Sequence, residues 1–136
     1  MGNATAEQLN AILADVWSLV RLLRKLESKT EHPGTKEALK RVRVDFSAHC
    51  ASLSGLIRNF GAGPVDKPGE LARKIGSMDD EPELWELLTR TISSAHERLG
   101  SLQPPLENGP LRDHVKAIAH NLSENLLWIE RIVPRV

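Results

Sequence analysis

Apolar side chains recur at alternating steps of three and four residues in four separate stretches of this chain, each bounded by proline or glycine. In the first, Leu9, Ile12, Leu13, Val16, Val20, Leu23 and Leu26 make one stripe, which predicts a helix over 5–28. Thr5 and Gln8 have the spacing of a capping box at its start, and His32-Pro33-Gly34 breaks it. The second stripe is Leu39, Val42, Phe46, His49 with Cys50, Leu53, Ile57 and Phe60, predicting a helix over 35–60 that stops at Gly61-Ala62-Gly63-Pro64. So short a break between the two implies an antiparallel hairpin. Asp80, Pro82 and Glu83 open a third helix over 81–102, with Trp85, Leu88, Ile92, Ala95, Leu99 and Leu102 on its stripe and Pro104-Pro105 as its stop. Asn108-Gly109-Pro110 opens the last, over 110–133, with Leu111, Val115, Ile118, Leu122, Leu126, Ile129 and Val133. No stretch alternates with a period of two. The pattern therefore predicts an all-α chain, residues 1–136 forming one domain.

The stretch from Gly61 to Asp80 carries the topology. It holds Pro64, Pro68, Gly69 and Gly76, with room for a short helical turn over about 70–75. Helices of about 24 residues are roughly 36 Å long, at about 1.5 Å per residue. A connection of about 20 residues can run that full length, whereas a hairpin does not need it. The expected fold is a four-helix bundle with a long crossover between the second and third long helices.

Two local segments go with that order: Gln8-Leu9-Asn10-Ala11-Ile12-Leu13, and Leu56-Ile57-Arg58-Asn59-Phe60-Gly61-Ala62-Gly63-Pro64. Together with the order of hairpin, crossover and hairpin, the chain resembles the ferritin-like superfamily, in particular its small bacterial rubrerythrin-like members, over nearly its whole length. The resemblance implies a di-iron layer at mid-height, built from one glutamate on each of two helices and a Glu-x-x-His pair on each of the others. Three residues is close to one turn, so both members of such a pair face the bundle axis. Here the second-helix pair reads Phe46-x-x-His49 and the fourth-helix equivalent Leu122-x-x-Asn125, while Val16 and Ile92 take the single-glutamate positions. Counted along the helices at about 1.5 Å per residue, these positions fall within roughly 8 Å of one level. The candidate layer Val16, Phe46, His49, Ile92, Leu122 and Asn125 is thus coherent in height and mostly hydrocarbon. Hard, highly charged cations need several carboxylate or imidazole ligands. The sequence therefore predicts no metal, no cofactor and no catalytic residue.

Composition changes this picture little. Of 136 residues 40% are apolar and 26% charged, and the formal net charge is zero. No global field favours nucleic acid or an anionic membrane. One cysteine rules out an intrachain disulfide. No basic segment followed by an apolar run opens the sequence, and no stretch reaches the roughly 20 apolar residues a spanning helix needs. Cytoplasmic residence is the default expectation.

The remaining polar residues have plainer expectations. His49 should be buried and hydrogen-bonded to a partner such as Asn125, and Cys50 should be a core filler. His96 and His114 stand symmetrically about Pro105 and could meet at the closing hairpin with Glu97 or Asp113, although solvated surface positions are simpler. His120 and Glu124 form an i,i+4 surface pair. Arg21, Arg24, Lys25, Lys29, Lys36, Lys40, Arg41 and Arg43 crowd the first hairpin among Glu27, Glu31 and Glu37. The acids Asp79, Asp80, Glu81, Glu83 and Glu86 should share that end and offset them. Trp85 and Trp128 are expected to pack internally. Trp17, Leu19 and Leu22 widen the apolar face of the first helix, which points to a homodimer through that helix. The reading is a non-enzymatic structural or interaction module. One alternative uses His49 for ligand binding or residual metal-dependent oxidoreductase chemistry. Another is weak nucleic-acid binding by the basic hairpin, against which stands the lack of interleaved aromatics.

Overall fold

In the computed structural model, residues 3–102, 106, 107 and 109–132 are described. The chain is all-α. The helices are α1 (Asn3–Lys29), α2 (Pro33–Asn59), α3 (Leu71–Ser77), α4 (Glu81–Gly100) and α5 (Pro110–Ile132). The expected stop at Pro104-Pro105, the opening Asn108 and the terminal stripe residue Val133 lie outside the described residues.

Local chemistry accounts for most ends. The predicted capping box does not form, because α1 begins earlier and Thr5 lies inside it, buried. Gln8 instead donates from Nε2 to the Ala4 carbonyl at 3.0 Å. His32 caps α2, its Nδ1 accepting from the Thr35 amide at 3.1 Å, with Pro33 as the first helical residue. Proline there gives up only an amide that no helix turn would have satisfied. Gly61 ends α2 at a φ of 76°, the left-handed region that glycine enters without a Cβ penalty. Asp80 precedes α4, and Glu81 and Glu83 place negative charge on its positive end.

α1 is the central strut. It packs against α2, α4 and α3; α5 packs against α4 and, more lightly, α2. Cross-helix contacts give the directions. Glu27 meets Arg43, Asp15 meets Arg98, and the pair Asp45 and His49 meets Asn125 and Asn121. The segment between α2 and α4 follows α1 along its length. At one end Asn10 donates to the Gly63 carbonyl at 3.1 Å and accepts from the Val65 amide at 2.9 Å. Midway, the Trp17 indole donates to the Val65 carbonyl at 3.3 Å. At the other end Lys25 donates to the Ile75 carbonyl at 2.6 Å and lies 3.9 Å from Asp79. From Asn10 to Lys25 is roughly 22 Å of helix at about 1.5 Å per residue.

The apolar surplus on the first helix, from which a dimer through that helix was expected, is not left open in the chain. Leu19 and Leu22 are fully buried within the chain, and Trp17 is half-buried against the core. Their extra apolar area is covered intramolecularly, with Ile75 of α3 joining the same core. Trp128 is corrected: it is 43% exposed rather than packed inside, whereas Trp85 is buried as expected.

Candidate functional site

The six layer positions divide into two environments. Val16, Phe46, Ile92 and Leu122 each have no exposed surface and belong to one continuous apolar core. Among the described residues, no three His, Cys, Asp or Glu side chains group closely enough to hold a metal ion. His49 and Asn125 instead lie where α2 meets α5 and take part in a polar network there.

That network has four members, two per helix. Asp45 and His49 stand one turn apart on α2, and Asn121 and Asn125 stand one turn apart on α5, so both pairs present one face to the other helix. The His49 imidazole meets Asn121 Oδ1 through Nε2 at 2.7 Å. The same oxygen accepts from Asn125 Nδ2 at 2.7 Å, and Asp45 Oδ2 accepts from Asn125 Nδ2 at 3.2 Å. Asn121 Nδ2 lies 3.5 Å from Asp45 Oδ2. An oxygen accepting from both neighbours requires His49 to carry its hydrogen on Nε2. The expected partner of His49 was Asn125. Asn121 takes that place, and Asn125 is one link further on.

Burial pushes the His49 pKa below its ordinary value of 6.5, and the charge of His114 acts in the same sense. The Asn121 hydrogen bond and the Asp45 carboxylate oppose this without overcoming it. The folded chain therefore takes up this proton at lower pH than the unfolded chain. Below the ordinary histidine value the unfolded state binds more protons, so stability falls as pH is lowered through it. His49→Gln is expected to flatten that part of the pH profile of stability, followed by urea unfolding between about pH 7.5 and 5. A profile unchanged by the substitution contradicts the assignment.

Beside the network lies a groove of about 270 Å³. Arg41, Val42 and Asp45 line it from α2; Asn121, Glu124, Asn125 and Trp128 line it from α5. Neither Asp45 nor Asn121 stands out in the sequence as a site residue. The available signal is the matching pair of four-residue spacings, Asp45 with His49 and Asn121 with Asn125, each flanking a core stripe.

The other candidates do not assemble. Cys50 is buried, and burial pushes its thiol up to about 12, so it stays protonated as a core filler. His96 and His114 are both exposed, and His114 bears electrostatically on His49 instead. His120 and Glu124 form an exposed pair at 3.0 Å. Of the basic residues, Arg43 forks onto Glu27 at 2.6 and 3.2 Å, a hydrogen-bonded pairing that raises its pKa. Lys25 reaches the acidic start of α4 at Asp79, as the opposed charge clusters led one to expect. Among the described residues, no helix is long and apolar enough to cross a membrane. No protein-family model, characterised protein or solved structure matches the chain.

Proposed function

We propose that α1, α2, α4 and α5 form a ferritin-like four-helix bundle with the segment through α3 as its long crossover, and that its metal layer has become hydrocarbon. In this reading the protein is a non-enzymatic interaction module whose contact surface is the groove between α2 and α5. The ties at Asn10, Trp17 and Lys25 support the crossover, since they follow α1 from one end towards the other. The functional part rests on one contrast. Val16, Phe46, Ile92 and Leu122 are sealed, while polar side chains of α2 and α5 border an open concavity at the flank. A closed apolar layer offers no ligands to a cation. A concave site with a few convergent polar groups is where small ligands bind.

Fragment titration of ¹⁵N-labelled protein tests this. Resonances of Arg41, Asn121, Glu124 and Trp128 are expected to move together, with Val16 and Ile92 unmoved. Fragments that perturb only residues remote from α2 and α5 would reject the groove as the contact surface.

A further inference from the structure

The groove is one-sided in its hydrogen bonding. Asn125 directs its amide nitrogen to Asp45 Oδ2 and Asn121 Oδ1, and the Asn121 amide nitrogen also faces Asp45 Oδ2. These amide donors are turned towards Asp45 and Asn121, so that beside the Arg41 guanidinium the groove is lined mainly by acceptors. Among the described residues, neither Asp45 Oδ1 nor Asn125 Oδ1 takes a hydrogen bond, and Asn125 lines the groove although it is only 9% exposed. Acceptors with no protein donor at a concave site are open to receive a ligand N–H. Glu124, which also meets His120 at 3.0 Å, adds a second carboxylate, so two carboxylates and one guanidinium, that of Arg41, line the groove. Trp128 supplies a partly exposed indole at the same concavity. Indole faces attract organic cations. Two acidic side chains are too few for a dedicated divalent-cation site, which draws on six or more oxygens.

We infer that the groove takes a small organic ammonium ion, an inference that rests on its being the contact surface proposed above. The ammonium N–H groups donate to Asp45 and Asn125, and the apolar body of the ligand lies on Trp128. A volume of about 270 Å³ suits a molecule of one ring and a short chain. An anion of the same shape meets the Asp45 and Glu124 carboxylates and has one guanidinium, that of Arg41, to receive it.

Titration with phenethylammonium, and with phenylacetate as the matched anion, tests this by following the Trp128 indole resonance in ¹⁵N-labelled protein. Phenethylammonium is expected to shift that resonance saturably, together with the Asn121 and Asn125 side-chain amides, and phenylacetate is not. Asp45→Asn should weaken the amine about tenfold or more, the effect of losing a charged acceptor. The substituted amide oxygen can still accept from Asn125, so the fold is kept. Trp128→Ala alters a partly exposed residue, and is expected to weaken the amine without unfolding the chain. Unchanged amine affinity in both variants, or no saturable shift, would overturn the inference. Shifts of groove resonances by phenylacetate alone would also overturn it while leaving the groove as a contact surface. Perturbations confined to residues away from α2 and α5 reject the groove itself.

Discussion

Replacing Phe46 with alanine is expected to remove about 3–5 kcal/mol of folding free energy. Phe46 is among the largest fully buried side chains and shares its core with Val16, Ile92 and Leu122. Its removal loses the transfer free energy of a benzyl group and leaves a void that helices on several sides can only partly close. Native domains are stable by about 5–15 kcal/mol in total, so the variant should lose a large share of its stability. Urea unfolding should give a lower midpoint with an unchanged slope. Val44→Ala on the same helix is the control. Val44 is 57% exposed, and the change should stay within about 0.5 kcal/mol. A loss below about 1 kcal/mol for Phe46→Ala would mean that the layer is not close-packed.

Leu122→Glu should do more damage, and its pH dependence has a definite sign. Leu122 has no exposed surface, so a carboxylate there leaves water for hydrocarbon. Burial raises a carboxyl pKa by up to about 3–5 units, each worth about 1.36 kcal/mol. At neutral pH, about 2.7 units above the unfolded value, the folded chain then holds this carboxyl protonated, which costs about 3–4 kcal/mol before any mismatch of shape is added. A carboxyl whose pKa is raised in the folded state binds its proton more tightly folded than unfolded. The penalty is therefore absent below the unfolded value of about 4.3 and grows as pH rises through the interval above it. Relative to the parent at each pH, the variant should be largely unfolded near neutrality and recover much of the deficit towards pH 4. Circular dichroism across that range reads the outcome. A deficit independent of pH would mean that the new carboxyl titrates as in water, and so that the layer is hydrated.

The elements were legible because their signals are periodic and local. Three- and four-residue steps placed all four long helices, and the proline and glycine groups set most ends to within a few residues. Gly61 illustrates this, since a positive φ is the physical reason glycine stands there. Thr5 shows the limit of a local signal. The capping spacing is present, but the helix starts before it and the threonine is buried in the core. The surplus apolar face of α1 was legible too, yet its cover was not. Leu19 and Leu22 are enclosed within the chain, and the ties that seat the connecting segment use Asn10, Trp17 and Lys25, whose partners lie about 50 residues away. Nothing in a one-dimensional pattern links Asn10 to Val65.

The site was half legible for the same reason. His49 stood out because a histidine on an apolar stripe needs a hydrogen-bond partner. Which partner depends on the rotation of α5 relative to α2, a tertiary quantity. One step of that rotation exchanges Asn125 for Asn121 and brings Asp45 into the network. Trp128 was misjudged by the same rotation. It lies close to a core stripe in sequence but on its outer edge in space, where it borders the groove.

Iron loading is the most direct check on a hydrocarbon layer at the centre of this chain. Protein incubated with ferrous iron without oxygen, then desalted and analysed for metal, should retain close to none, because Val16, Phe46, Ile92 and Leu122 offer it no ligand. Retention of two irons per chain, lost on substitution of residues at mid-height, would contradict the account.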